Sequence, residues 1–160
     1  MILTHKIALD LTDEQEAYCR RASGTARFTY NWALAEWKQQ YHNGDKPTAA
    51  QLKTQWNAIK YERYPWLTAI HRDAHAQPFT NLGTAFARFF RYEADYPTFK
   101  KKGKHDSFYV ANDKCTVEGK RIRLPRVGWV RMREALRFTG KLMSAVISRT
   151  ADRWFVSLAV

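Results

Sequence analysis

The stretch Leu3-Thr4-His5-Lys6-Ile7-Ala8-Leu9-Asp10-Leu11-Thr12-Asp13-Glu14-Gln15 decides the fold, because the period of the chain changes inside it. Leu3, Ile7, Leu9 and Leu11 share one parity, with Thr4, Lys6, Ala8 and Asp10 between them. That alternation predicts a half-buried strand over residues 1–11. Thr12 and Gln15 then stand at the spacing of a capping box, in which each side chain satisfies the other residue's free backbone N–H. A long amphipathic helix is expected to follow, with Tyr18, Ala22, Ala26, Thr29, Ala33 and Trp37 near one face, Phe28 and Trp32 turned inward, and Gly24 as a point of interruption.

Working outward, His42 to Pro47 reads as a turn, and Thr48 with Gln51 repeats the capping-box spacing. A second helix is predicted over about 49–61, ending before Pro65 because a residue preceding proline is driven out of the α region. A third should run from about Asp73 to Phe90, with Phe79, Leu82, Phe86, Phe89 and Phe90 as its apolar stripe and Pro78 kinking or restarting it. Beyond Tyr96 the pattern returns to short β-branched or aromatic runs: 108–110, 115–117, 122–124, 129–132, 142–148 and 154–160. Turn residues separate them, and the last two form a hairpin about Ala151-Asp152. Strands on both sides of a helical block predict an α+β fold, one antiparallel sheet or barrel interrupted by a helical insert.

Charge follows the same division. The chain of 160 residues carries a net +12, yet residues 1–96 hold 12 Lys and Arg against 10 Asp and Glu, and residues 97–160 hold 15 against 5. A surplus of ten in the strand-rich part points to a polyanion. With 45% hydrophobic residues, the chain has the material for a core, which excludes disordered and low-complexity classes. No apolar run reaches the roughly 20 residues of a membrane span, and the N-terminus lacks a signal-peptide layout. Cys19 and Cys115 make neither a disulfide framework nor a metal site; buried unreactive thiols in a reducing cytoplasm are expected. His71 and His75 share metal-ligand spacing but lack the glutamate of a zincin pattern, so they read as structural or solvent-facing. There is no nucleophile elbow, glycine-rich phosphate loop or paired carboxylate.

The densest basic feature is Tyr96-Pro97-Thr98-Phe99-Lys100-Lys101-Lys102-Gly103-Lys104-His105. Lys100, Lys101, Lys102 and Lys104 are candidates for neutralising phosphates, and Phe99 for stacking on a base or ribose. Arg121, Arg123, Arg126, Arg131, Arg133 and Arg137 follow; alternation with Ile122, Leu124, Val130 and Met132 would line them along the open face of the sheet. Arg27 and Asn31, one helical turn apart, are candidates for reaching a groove together.

Several separated segments carry a family resemblance. Ala26-Arg27-Phe28-Thr29-Tyr30-Asn31-Trp32-Ala33-Leu34, Asn81-Leu82 with Ala85-Phe86 and Phe89-Phe90, Tyr96-Pro97-Thr98-Phe99-Lys100-Lys101-Lys102, and Leu124-Pro125-Arg126-Val127-Gly128-Trp129-Val130 resemble TnpB proteins in this order and spacing. These are transposon-encoded RNA-guided DNA nucleases related to type V CRISPR effectors. The resemblance implies a wedge-type β-barrel interrupted by a helical recognition insert of about three helices. Residues 1–11 would be its first strand, 12–95 the insert, 96–106 a basic loop and 107–160 the rest of the barrel.

It further implies that the four lysines contact nucleic-acid backbone and that Thr48, Lys53, Arg72 and Gln77 lie where a short target-adjacent DNA motif is read. Base pairing with a guide would read the target itself. The implied partners are a structured guide RNA from a transposon end, target DNA and a partner chain carrying a RuvC domain, in a bacterial or archaeal cytoplasm at the nucleoid, with no membrane. The family's RuvC carboxylates and zinc cysteines follow later than Val160. No catalytic residue or cofactor is therefore expected in this chain, and a divalent metal only with a RuvC domain supplied in trans. The alternatives are a guide-independent DNA-binding domain of a transposase and a general polyanion-binding protein.

Overall fold

A computed structural model describes residues 1–160, which form two compact units: residues 1–24 with 105–160, and residues 25–104. The first is built on strand β1 (Thr4–Asp10), the opening turns of helix α1 (Asp13–His42), and strands β2 (Ser107–Ala111), β3 (Thr116–Glu118), β4 (Arg121–Leu124), β5 (Gly128–Met132), β6 (Ser144–Thr150) and β7 (Arg153–Ala159). The division between units falls inside α1, after Gly24, and the helix is continuous through that glycine, so the expected interruption is corrected.

The strands form one seven-stranded antiparallel sheet in the order β2-β6-β7-β1-β5-β4-β3. β1 is shared along its length: Thr4 to Ala8 pair with Ala159 to Phe155 of β7, whereas Leu9 and Asp10 pair with Met132 and Arg131 of β5. β2 and β3 each pair on one side only, so the sheet is open and the expected barrel closure is not present. A barrel needs its last strand to return to its first, and β3 is a three-residue strand that ends its ladder against β4.

Alternation is carried through the sheet. Ile7 and Leu9 of β1, Ile122 and Leu124 of β4, Val130 and Met132 of β5, Ala145 and Ile147 of β6, and Trp154, Val156 and Leu158 of β7 are buried. The parity of β1 also buries His5, while Leu3 is half exposed. His5 fits because its ring is satisfied: Nδ1 accepts from the Arg137 backbone N–H at 3.2 Å and Nε2 donates to Glu134 at 2.8 Å. That bond holds the Glu134 carboxyl below its ordinary range. β6 and β7 form the expected hairpin, with Ala151 at φ 55° in its turn. Thr12 and Gln15 form the capping box in both directions, at 3.0 and 3.2 Å. The Gln15 amide also donates to the carbonyl of Trp129 at 2.9 Å, tying the start of α1 to β5. Tyr18, Cys19 and Ala22 on the same turns are buried. Burial pushes the Cys19 thiol up to about 12, which leaves it protonated at neutral pH.

The second unit packs the rest of α1 with α2 (Ala49–Arg63), a 3₁₀ turn (Pro65–Ala69) and α3 (Asp73–Phe90). Its core is Tyr30, Ala33 and Leu34 of α1, Leu52 and Trp56 of α2, Leu67 of the turn, and Phe79, Leu82 and Phe86 of α3. Phe28 is partly exposed rather than turned in, its edge meeting Tyr64 at 4.9 Å and Trp66 at 5.5 Å. Pro78 is buried and lies within a single helical span, so the predicted restart does not occur. Losing one backbone bond early in a helix is offset where the ring and its neighbour Phe79 are packed inside. The N-cap position of α3 is Arg72, which makes no side-chain cap bond, and Asp73 is the first helical residue, its backbone N–H donating to His71 Nδ1 at 3.3 Å. No helix is long and apolar enough to cross a membrane.

Candidate nucleic-acid interface

In the helical unit, the basic loop is held by α1. Asn31 Oδ1 accepts from the Lys100 backbone N–H at 2.8 Å, and its Nδ2 donates to the Lys100 carbonyl at 3.0 Å. One amide therefore grips both polar groups of one residue, as a neighbouring strand would. The Lys100 ammonium lies 4.6 Å from the centre of the Tyr30 ring, and Lys38 lies 4.6 Å from that of Phe99. Burial raises the Tyr30 hydroxyl's pKa. Lys101, Lys102 and Lys104 are exposed beyond this anchor, in a turn where Gly103 takes φ 82° and the Lys104 N–H bonds the Lys101 carbonyl at 3.3 Å. Asn31 thus positions the loop instead of standing free on the helix, and Phe99 carries a cation over its ring. Arg27 is only partly exposed.

A second group sits where α2 and α3 meet. The pKa of Lys60 is lowered, first by burial and then by the positive charges of Lys53 and Arg72. The charges of Lys53 and Arg72 are both felt at Lys60, a basic residue that their sequence separation hides. Thr48 is committed elsewhere: its hydroxyl accepts from the Gln51 N–H at 3.2 Å as the N-cap of α2. The Gln77 amide donates to Asn81 at 3.2 Å on the same helix. His75 is fully buried with both ring nitrogens unpartnered, and burial lowers its pKa to about 4. His71 lies 3.6 Å from Asp73, and no three His, Cys, Asp or Glu side chains are grouped to hold a metal.

In the sheet unit, the register gathers the strand arginines. Arg121 stands opposite Arg131, and Arg123 opposite Trp129, across the β4–β5 ladder. All four side chains are exposed, because their neighbours Ile122, Val130 and Met132 face the core. Glu118 and Asp10 continue the Arg121–Arg131 row on its two sides. Arg121 pairs with Glu118 at 2.9 Å and its guanidinium lies 4.1 Å from the Trp129 ring centre. Arg133 is diverted to Asp10 at 3.0 Å and Arg137 to Glu134 at 3.6 Å. Arg123, Arg126 and Arg131 form no ion pair, and Arg126 sits in the β4–β5 loop at φ 71°. Lys38, Lys60 and Trp129 are the groups that sequence reading passed over. Trp129 was legible as an odd-parity strand residue, whereas Lys38 and Lys60 become relevant only through packing.

Comparison with known proteins gives three kinds of match. The OrfB/IS605 family described as "Helix-turn-helix domain" matches residues 1–46. Those residues here form β1, the single helix α1 and the turn after it, so this segment holds one helix and not two. The chain is 32% identical over 151 residues to the Escherichia coli (strain K12) protein named "Putative RNA-guided DNA endonuclease InsQ", covering 91% of this chain and 37% of that one. It is 29% identical to a Streptomyces pristinaespiralis "Putative RNA-guided DNA endonuclease", covering 92% and 38%. The chain thus spans just over a third of the length of these curated relatives. A chain in the "Cryo-EM structure of the Cas12f1-sgRNA-target DNA complex" gives a TM-score of 0.48 at 14% identity, covering all of this chain and 48% of that one.

Proposed function

Because the chain is homologous along nine-tenths of its length to InsQ-like RNA-guided DNA endonucleases, we propose that it is the guide-RNA- and target-DNA-binding module of such a nuclease. The observation that carries this reading is the loop clamped by Asn31, which fixes Lys100 and presents Lys101, Lys102 and Lys104 to solvent. A lysine run left to itself is a mobile solvated tract; one whose backbone is gripped at two points has already lost part of the entropy that binding would cost. Its lysines would neutralise phosphates and release counterions. The Lys53–Lys60–Arg72 group would approach the target-adjacent DNA, and Arg123 and Arg126 the RNA backbone, where the guanidinium fork bonds two oxygens at once; Arg121, held by Glu118, would serve by lying over Trp129. In this reading Thr48 and Asn31 serve by shaping α2 and the loop, and Gln77 lies beside the DNA-facing group. Cleavage would come from a RuvC domain outside this stretch, with its own divalent metal.

Replacing Lys100, Lys101, Lys102 and Lys104 with alanine tests the proposal through the salt dependence of RNA affinity. The expected result is weaker binding to a structured RNA, with the slope of log affinity against log salt flattened by up to about 0.7–0.9 per lost contact. An unchanged slope would return the loop to a solvated surface feature. A guide-independent duplex-binding domain would instead show the same loss with bare DNA and no preference for RNA.

A further inference from the structure

We infer that the exposed face of β4 and β5 is a stacking platform for unpaired RNA nucleotides, with Trp129 as the surface on which a base lies. The inference rests on the RNA-binding reading above and adds to it a site, a ligand class and a way of telling single strand from duplex. Trp129 is 36% exposed on the solvent side of a strand whose other side is core. Its partner across the ladder is Arg123, and the Arg121 guanidinium lies over its ring at 4.1 Å. The ring is partly in water while Val130 beside it is buried, and the flat group already on it is the Arg121 guanidinium, next to which a base would stack.

Charge and shape select the occupant. Arg123 and Arg131 flank the ring without ion-pair partners, whereas the two nearby carboxylates are already engaged, Glu118 by Arg121 and Asp10 by Arg133. The face is therefore electropositive around an aromatic centre, which suits a chain of alternating phosphates and flat rings. Beside Trp129 lies an open concavity of about 440 Å³, lined by Glu118, Lys120, Arg121, Val130 and Arg131. It is a shallow surface depression, and it would take the nucleotide next to the stacked base. The Glu118 carboxylate in its wall is positioned to accept a hydrogen bond from an exocyclic amine or a ribose hydroxyl. Bases held in a duplex cannot lie on the ring, because their faces are occupied by their neighbours.

The test compares the intact chain with Trp129→Ala and Trp129→Phe, using an eight-nucleotide oligoadenylate and the same strand paired into a duplex, at one fixed salt concentration. Trp129→Ala is expected to weaken single-strand binding by roughly 5- to 150-fold, the range corresponding to loss of one base–aromatic stack. Duplex affinity should stay within about twofold, and Trp129→Phe should restore most of the single-strand affinity. Retained duplex binding also reports that the variant is folded. Equal losses for single strand and duplex would overturn the stacking inference, as would unaltered single-strand binding, and either would leave the RNA-binding reading standing. If the unaltered chain binds neither RNA, the broader reading fails and this one fails with it.

Discussion

His75 illustrates how a single buried group sets the acid response of the helical unit. Its ring is fully enclosed beside Trp56 and Tyr61, with neither nitrogen hydrogen-bonded. Burial is the main cause of its depressed pKa, and the positive charge of Lys60 adds to it. In the unfolded chain the ring protonates below about 6.5, while in the folded protein it stays neutral until about 4. Between those values the unfolded state binds the extra proton, so stability falls as pH falls, by about 1.4 kcal/mol per unit. Denaturant midpoints measured from pH 7 to pH 4 should therefore show a loss that His75→Leu flattens. An identical pH profile in the variant would show that the ring finds a partner. Asn31 makes the complementary point. Its spacing from Arg27 suggested a pair reaching a groove, but both ends of its amide hold the backbone of Lys100. A sequence displays a polar side chain on a helix face; it does not display the loop, 69 residues later, that occupies it.

At the level of elements, what was legible follows from period and what was not follows from tertiary contact. The alternation in β1, β4 and β5, the capping box at Thr12 and the N-cap at Thr48 are local, and the structure contains the strands and helices they specify, although Gln51 does not return the bond to Thr48. Helix α3 runs through its proline because burial of Pro78 and Phe79 outweighs one missing bond, but of the expected apolar stripe only Phe79, Leu82 and Phe86 are buried, Phe90 at its end being exposed. Closure of the sheet is non-local: whether β3 reaches β2 depends on strand length and shear, which no stretch of residues encodes by itself. His5 was unreadable for the same reason, since Glu134 and the Arg137 backbone satisfy it from far along the chain.

The α2–α3 contact offers a test at this scale. A Cβ on Gly83 would sit 3.1 Å from that of Ala49, inside normal carbon contact. Gly83→Ala gains about 1 kcal/mol of helix propensity but should lose about 2 kcal/mol to overpacking. The net expectation is about 1 kcal/mol of destabilisation in chemical denaturation, relieved when Ala49→Gly is added. Stabilisation by the single variant would mean that the helices separate without cost to Leu52, Trp56 and Leu82.

For the whole molecule, the distribution of charge supports the proposed nucleic-acid surface. The net +12 is concentrated after residue 96, and the structure distributes it over an anchored lysine loop in one unit and an arginine–tryptophan face in the other. Three of the six arginines in residues 121–137 are taken by carboxylates, so fewer are available for phosphate than their number suggests. The central claim is that the surface holds a guide RNA, and the nucleic acid that accompanies the purified chain tests it most directly. A guide-RNA surface should carry one discrete, structured RNA, released as salt is raised and able to displace bare duplex DNA from the protein. A chain that carries no RNA and binds bare duplex DNA more tightly than structured RNA would contradict it.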